Sequence, residues 1–293
     1  MPACNADLGL PDMTIAQAVA AGAKTLVVGV ANRGGVISDA WIAILREALD
    51  QGMDIAAGLH NRLADVAALR ADADRLGRHL FDVRHPTHKF DVASGIRRSG
   101  KRLLPVGTDC SCGKMYTALA VEKDLRLRGV SADFRATGQT GILVTGRGVA
   151  IDAVVADFIS GAVEWLSPDN DDGHWDIIEG QGSLFHVSFA GVTTGLIHGA
   201  QPDALVLCHE PTRTHMRGLP DFPLPGLTEC MDATLRVAGL TNPDAKFVGV
   251  AVDTSRLSEQ EAGEYLRRTE QELGLVTVDP VRNGVARIVD QIV

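Results

Sequence analysis

Short apolar runs rich in β-branched residues alternate with helix-period segments along the whole chain, and this alternation constrains the fold more than any other feature. It is typical of a parallel sheet whose strands are joined by crossover helices. With 45% apolar residues among 293 and no low-complexity run, the chain can form one large α/β domain or two ordinary ones. The predicted strands are 25–30, 53–59, 79–83, 102–107, 131–138, 175–180, 203–209, 246–253 and 275–279.

We predict two α/β domains, residues 1–95 and 96–293. In the first, helices at 38–52 and 65–77 separate three strands, a Rossmann-like arrangement. The sequence His-Pro-Thr-His and the basic segment after it interrupt the pattern, so the boundary is placed between His85 and Ser99. The second domain has the larger sheet, a predicted helix at 151–161 and a Pro-rich segment at 218–226 that is predicted to be a surface loop. The chain begins abruptly before a predicted helix, which leaves open whether a further strand precedes it.

Charge and hydropathy exclude two classes of partner. The net charge is −9, and the basic cluster of Arg97, Arg98, Lys101 and Arg102 is too short for the positive stripe that nucleic acid requires. No apolar run approaches the roughly 20 residues of a membrane span, and the first dozen residues lack the regions of a signal peptide. Five cysteines without paired CxxC spacing favour free thiols. We therefore expect a cytoplasmic protein with no nucleic-acid or membrane partner.

The segment VGTDCSCGKMYTALAVEKDL follows a strand and opens a helix, the context that a phosphate-binding loop requires. Two glycines allow the chain to wrap around an anion, and a lysine and the helix N-terminus supply positive charge. Five residues separate the glycines instead of four, which resembles the loop of the dethiobiotin synthetase branch of P-loop proteins. The alternative is a strand-to-helix turn with a buried lysine stem. The residues that we predict to bind the cofactor are Gly107, Thr108, Asp109, Cys110, Ser111, Cys112, Gly113, Lys114, Met115 and Tyr116.

Met115 stands where P-loop enzymes have the Ser or Thr whose hydroxyl binds the magnesium ion of the nucleotide. A thioether is a poor ligand for a hard cation. Thr117 cannot substitute, because it lies about 200° further around the helix. The sequence therefore predicts a loop that holds a pyrophosphate, is badly equipped to transfer a γ-phosphoryl group, and needs no metal.

Two other strand ends carry candidate catalytic groups. Glu179 precedes Gly-x-Gly at the end of a predicted strand, where P-loop proteins keep an acidic residue beside the phosphate loop. It could be a general base or a metal ligand, and the alternative is a carboxylate that caps a helix. His209 ends another strand, and its spacing from the next histidine does not fit a zinc pair on a helix face. Other residues of that segment that could line the site are Glu210, Arg213, His215 and Arg217.

Polar residues after three further strands suit an acidic substrate. Gln139, Thr140 and Arg147 follow the strand at 131–138, where open α/β sheets bind ligands. An arginine can hold a carboxylate through two hydrogen bonds, and we favour Arg147 because Arg135 lies inside the strand. Loops of the first domain add three candidates, Asn32, Arg33 and Arg62.

The order of these motifs resembles one family. A Rossmann-like half, GTDC-x-x-GKM-x-T, GQTG, IDAVV-x-DF-x-x-G, EGQGS and a strand ending in CHEP are together similar to a former domain-of-unknown-function family that includes the DgcN-type D-glutamate N-acetyltransferases. The similarity covers nearly the whole chain. It implies a Rossmann-like domain followed by a P-loop NTPase-like domain. It also implies acetyl transfer from acetyl-CoA, as co-substrate, to the amine of D-glutamate or a related D-amino acid.

This resemblance gives roles to the candidate residues. Coenzyme A carries phosphates for the loop, and acetyl transfer needs no hydroxyl at position 115. Arg33 with Arg62 or Arg147 would hold the substrate carboxylates, and amides near Gly180 or Gly182 would stabilise the oxyanion. The candidate bases, in order of preference, are Glu179, Asp109 and His209.

Three alternatives stay open. A thiol relay through Cys110 or Cys112 is disfavoured, because phosphate bound in the loop opposes a thiolate there. An ATP-dependent ligase or kinase of a small carboxylate, similar to dethiobiotin synthetase, is the main rival. A nucleotide-sensing protein would need a base-specific pocket, for which the sequence gives no sign. We expect a homo-oligomer that acts on a small molecule.

Overall fold

The computed structural model of the chain describes residues 9–30 and 36–293. The chain divides into two compact units between His85 and Pro86. From Phe90 onward, the segment in which the sequence predicts the domain boundary packs with the second unit. Phe90 contacts the core of that unit, and the amides of Ser94 and Gly95 donate to the carboxylate of Glu164 at 2.8 and 2.9 Å.

All nine predicted strands are present, and two short ones are added. The strands are β1 (Thr25–Val28), β2 (Asp54–Ala57), β3 (Leu80–Asp82), β4 (Lys101–Gly107), β5 (Ala132–Arg135), β6 (Trp175–Ile178), β7 (Ala204–His209), β8 (His215–Met216), β9 (Leu219–Pro223), β10 (Lys246–Val252) and β11 (Thr277–Val278). The α-helices are α1 (Ile15–Ala20), α2 (Asp39–Asp50), α3 (Ala67–Leu76), α4 (Lys114–Leu127), α5 (Gln139–Thr145), α6 (Ile159–Leu166), α7 (Ala190–Ala200), α8 (Leu227–Ala238), α9 (Glu259–Leu273) and α10 (Ala286–Val289). In the described part of the chain, no helix combines the length and apolar character of a membrane span.

The first unit is a three-stranded parallel sheet in the order β1-β2-β3. The helix between β1 and β2 begins where the sequence predicts, because the hydroxyl of Ser38 accepts a hydrogen bond from the amide of Trp41 at 3.3 Å. Gly77 ends α3 in the left-handed conformation, with φ of 63°. Buried aliphatic side chains of α2, β2 and α3 form the core of this unit.

The second unit is a six-stranded parallel sheet in the order β11-β10-β7-β4-β6-β5. Because every strand runs in the same direction, the carboxyl ends of all six meet at one edge. Strand β4 lies between β7 and β6. The loop after β4 is therefore flanked by the ends of two buried strands, which is the position that open α/β sheets use for ligands.

Two local predictions are wrong. The sequence predicts a helix over 151–161, but the chain forms two 3₁₀ turns at Ile151–Ala153 and Ala156–Phe158 before α6 begins. The β-branched pair Val154 and Val155 between the turns disfavours a continuous helix. Residues 218–226 are predicted as a surface loop, but β9 pairs there with β8 in an antiparallel hairpin. The turn passes through Gly218, whose φ is 76°.

The basic cluster before β4 is largely structural. The side chain of Arg102 is 1% exposed and donates to the carbonyl oxygens of Arg98, Ser99 and Pro168 at 3.0 to 3.1 Å. Arg98 is also buried and donates to the carbonyl oxygens of Glu164 and Ser167. These two guanidinium groups link the N-terminal end of β4 to neighbouring segments of the second unit. They therefore form no exposed positive surface.

Candidate functional site

The predicted phosphate loop, residues 107–114, connects β4 to α4 at the carboxyl edge of the large sheet. The amide of Thr108 donates to the carbonyl oxygen of Cys208 at 3.1 Å, which joins the loop to β7. A Cβ atom at Gly107 would lie 2.5 Å from the Sγ of Cys112 and 2.9 Å from the carbonyl oxygen of Asp109. Only glycine therefore allows the loop to close over itself at this point.

The inside of the loop is rich in free hydrogen-bond donors. The amides of residues 111–116 donate to no acceptor among the described residues. The buried Nζ of Lys114 lies beside them and donates to the carbonyl oxygen of Asp109 at 2.8 Å. Unpaired amides at the N-terminus of a 14-residue helix, with an adjacent ammonium group, are suited to bind phosphate oxygens.

Asp109 uses its carboxylate to hold the loop together. It is 1% exposed, and its Oδ2 accepts from the Nη1 of Arg213 at 2.6 Å and from the amide of Arg217 at 2.8 Å. Its Oδ1 accepts from the amide of Cys110 at 2.6 Å. These three donors, one of them an arginine, occupy both oxygens of the carboxylate. Asp109 therefore fits a structural role better than that of the predicted base.

Arg213 and Arg217, which the sequence indicates only as residues that could line the site, contact the phosphate loop. Besides Asp109, Arg213 donates to the carbonyl oxygens of Cys110 and Ser111 at 2.7 and 3.2 Å. The guanidinium group of Arg217 donates to the hydroxyl of Ser111. The one sequence signal for these two arginines is their position after the end of a strand. Other polar residues of the same segment share that position.

His209 lies where the sequence places it, at the end of β7 and beside the loop. Its Nδ1 is 3.0 Å from the Oγ1 of Thr108, and its ring faces Tyr265 with 6.1 Å between centroids. Burial lowers the pKa of His209 to about 4. The imidazole is therefore neutral at pH 7 and is a weak base.

Glu179 follows β6 on the other side of the loop. Gly180 packs so closely against the carbonyl oxygen of Pro105 that a Cβ atom there would lie 1.8 Å from it. The Oε2 of Glu179 accepts from the amides of Thr137 and Gly138 at 2.9 and 3.0 Å, and no hydrogen bond from the described residues reaches Oε1.

Glu179 has a strongly shifted pKa. Its side chain is almost fully buried, and this burial raises its pKa to about 7, although the two amides and the charge of Lys114 oppose the shift. A carboxyl group that gains and loses its proton near neutral pH is suited to general acid–base catalysis.

The described residues among the predicted substrate-binding set lie on different elements. Gln139 and Thr140 lie in the first turn of α5 and not in a loop. The side chain of Arg147 is 67% exposed and lies 3.5 Å from a carboxylate oxygen of Asp133. Arg135 is structural, because its Nε donates to the Oδ1 of Asp176 at 2.7 Å. Arg62 is an exposed residue of the first unit, and the predicted residues Asn32 and Arg33 lie outside the described residues.

One cluster beside the loop has the residue types of a metal site. Side-chain atoms of Asp109, Cys110 and His186 lie within 4.8 Å of one another. The protein itself already engages the aspartate, and the two ring nitrogens of His186 bond the carbonyl oxygen of Arg217 at 3.1 Å and the amide of Ser188 at 3.2 Å. Burial raises the pKa of Cys110 to about 11, which disfavours the thiolate needed for a metal ligand or a thiol relay.

Two family models match the chain. One describes a Rossmann-like domain and matches residues 3–86, and the other describes a P-loop domain and matches residues 91–289; both are domains of unknown function. The chain belongs to the DUF1611 family. The family predicted from the motifs and its two fold types are thereby confirmed. A crystal structure of a DUF1611 family protein from Anabaena variabilis ATCC 29413 superposes with a TM-score of 0.87 at 38% identity, over 95% of this chain and 82% of that one.

Two curated relatives of this DUF1611 protein carry a name that states an activity. A protein from Tritonibacter scottomollicae named D-glutamate N-acetyltransferase is 59% identical over 290 residues, which cover 99% of this chain and 87% of the relative. A protein of the same name from Pseudoalteromonas sp. is 50% identical over 286 residues, which cover 98% and 86%.

Proposed function

We propose that this DUF1611 protein transfers an acetyl group from acetyl-CoA to the amine of D-glutamate. It is an N-acetyltransferase, as its curated relatives are named over nearly the full chain. The observation that carries the acyl donor is the loop itself. It offers unpaired amides and a buried lysine to a diphosphate, but has methionine at the position of the magnesium-binding hydroxyl.

In this proposal, coenzyme A is bound through its phosphates. The amides of residues 111–116 and the Nζ of Lys114 would donate to the diphosphate oxygens. Acetyl transfer leaves the diphosphate intact, so it requires no group that stabilises a departing phosphoryl group. The loop would therefore bind the diphosphate of coenzyme A without being equipped to cleave it.

Glu179 would act as the general base. Its carboxylate takes a proton from the ammonium group of D-glutamate, and the freed amine attacks the thioester carbonyl. The C–N bond forms and the C–S bond breaks, and the thiolate leaves and is protonated as free coenzyme A. Amides at Gly180 or Gly182 would donate to the oxyanion, and His209 is the second candidate base.

The substrate carboxylates need cationic partners. We keep Arg33 with Arg62 or Arg147 as the proposed pair, and Gln139 and Thr140 as polar contacts. Variants of the three arginines should raise the KM for D-glutamate by about tenfold or more without changing the KM for acetyl-CoA, since each charged hydrogen bond contributes about 1.5–3 kcal/mol. Fractionation of cells and light scattering test the predicted cytoplasmic location and homo-oligomer.

The test of the proposed function follows free thiol in mixtures of the protein, acetyl-CoA and either enantiomer of glutamate. We expect thiol release with D-glutamate, accompanied by N-acetyl-D-glutamate in the product mixture. A parallel reaction with Mg·ATP in place of acetyl-CoA is the control. Substrate-dependent ADP formation without thiol release from either enantiomer would overturn the proposal in favour of a ligase or kinase.

A further inference from the structure

The backbone of Arg217 is held in place beside the phosphate loop. Its amide donates to the Oδ2 of Asp109 at 2.8 Å, and its carbonyl oxygen is 3.1 Å from the Nε2 of His186. Both partners are buried, as is the preceding residue Met216 in β8. The side chain of Arg217 therefore starts from a defined position, and its guanidinium group reaches the hydroxyl of Ser111.

Two of the cationic groups at the loop form no ion pair with a described residue. The carboxylate of Asp109 lies 2.6 Å from Arg213, and Glu210 lies 3.5 Å from the same guanidinium group. Lys114 and Arg217 form no ion pair with any described residue. Two cations without ion-pair partners and several free amides favour a ligand with more than one negative charge.

We propose that Arg217 is a second cationic contact for the phosphates of the bound coenzyme and helps to select a multiply charged ligand. This inference rests on the proposed binding of coenzyme A. When the ligand binds, the guanidinium group exchanges the neutral hydroxyl of Ser111 for a phosphate oxygen, which is the stronger partner. Arginine suits this role because its planar fork can donate two parallel hydrogen bonds to a phosphate group.

The experiment measures the binding of coenzyme A and of inorganic pyrophosphate to the full chain by calorimetry. Arg217→Gln should weaken binding of both ligands by about tenfold, within the range expected for a charged hydrogen bond. It should raise the KM for acetyl-CoA by a similar factor and leave the KM for D-glutamate unchanged. Arg236→Gln, at an exposed position of α8, is the matched control and should bind as the wild type does.

Three results separate this inference from the proposed function. Equal affinity of Arg217→Gln and wild type for both ligands overturns the inference, whatever the activity. Weaker binding by Arg217→Gln in a protein that releases no thiol supports the inference and contradicts the acetyltransferase. A wild-type protein that binds neither ligand rejects both.

A conservative variant covers the case in which Arg217→Gln does not fold. Arg217→Lys keeps the charge and the backbone bond to Asp109 but loses the planar fork, so we expect an affinity about threefold to tenfold below that of the wild type. Wild-type affinity of Arg217→Lys for pyrophosphate and coenzyme A, together with an unchanged melting temperature, would overturn a role for the guanidinium geometry.

Discussion

Two carboxyl groups at the same sheet edge differ in what surrounds them. Asp109 is paired with Arg213 and accepts hydrogen bonds from two amides, so it fixes the loop. Glu179 is equally buried and has no arginine partner among the described residues, so its pKa rises to about 7. A buried carboxyl group whose pKa is raised toward neutral pH is a candidate general acid or base. The sequence gives both residues as candidate bases, and only the contacts distinguish them.

Glu179→Gln should lower the rate of acetyl transfer by about 100-fold or more, the range expected on loss of a general base. In the wild type, kcat/KM should rise with pH through about 7, because the base must be deprotonated to act. The variant should lose this limb of the profile while its KM for acetyl-CoA stays unchanged. Glutamine can still accept from the amides of Thr137 and Gly138, so thermal unfolding should show a folded protein. A fully active variant would exclude Glu179 as the base.

Gly107→Ala should weaken coenzyme A binding, since the added methyl group would lie 2.5 Å from the Sγ of Cys112 and 3.0 Å from the Nζ of Lys114. We expect an affinity at least about tenfold lower by calorimetry. Gly191→Ala in α7 is the control, because its Cβ meets nothing within 4 Å and alanine favours a helix. Normal affinity in Gly107→Ala would show that the loop is more open than its geometry indicates.

Among the elements, the strands of both sheets could be predicted because most are apolar runs and β5 alternates apolar and charged residues, and α2 and α3 because Ser38 and Gly77 mark their ends. The phosphate loop could be predicted because its residues are contiguous. The β8–β9 hairpin could not, because two prolines in β9 suggest a loop and the pairing depends on tertiary contacts. The roles of Arg213 and Arg217 were missed for the same reason, since their partners are about 100 residues away in the chain.

The segment that contains Arg213 and the β8–β9 hairpin should contribute to the free energy of unfolding together with the phosphate loop. Arg213→Met leaves the buried carboxylate of Asp109 without its ion-pair partner, which should lower the free energy of unfolding of the second unit by about 3 kcal/mol. Arg126→Met is the control, because that arginine forms an exposed ion pair with Glu122 at 2.9 Å and should change stability by less than about 0.5 kcal/mol. Urea unfolding compares the two variants.

A second substitution separates the effect of the unpaired charge from the effect of altered packing. Adding Asp109→Asn to Arg213→Met removes the unpaired charge and should restore part of the lost free energy of unfolding. If the double variant is less stable than Arg213→Met by the full cost of a second independent change, the two residues do not interact as an ion pair.

In the whole molecule, the stability of each of the two units has to be measured separately. The chain divides between His85 and Pro86, so a single two-state transition is not expected. Three tryptophans are available as probes, of which Trp41 belongs to α2 of the first unit, while Trp165 and Trp175 belong to the second. In a Trp41→Phe background, tryptophan fluorescence reports the second unit, which contains both Glu179 and His209.

Glu179 and His209 should give the second unit opposite dependences of stability on pH. The pKa of His209 is about 4 when folded and 6.5 ordinarily, so between these values only the unfolded state binds the proton and stability falls as pH falls. The pKa of Glu179 is about 7 when folded and 4.5 ordinarily, so only the folded state binds that proton and stability falls as pH rises. The two effects largely cancel between pH 4.5 and 6.5 in the wild type.

Substitution of Glu179 or His209 should therefore reveal the pH dependence of stability that the other residue contributes. Relative to the wild type, Glu179→Gln should gain on the order of 2 kcal/mol of unfolding free energy between pH 4.5 and 6.5, and His209→Asn should lose a similar amount, since one pKa unit corresponds to about 1.4 kcal/mol. The double variant should parallel the wild type, because both proton-linked differences are then absent. Urea unfolding followed by fluorescence at pH 4.5, 5.5 and 6.5 measures these slopes. Profiles of the single variants that parallel the wild type would mean that neither group changes its protonation on folding, and Glu179 would then lack the raised pKa that its role as base requires.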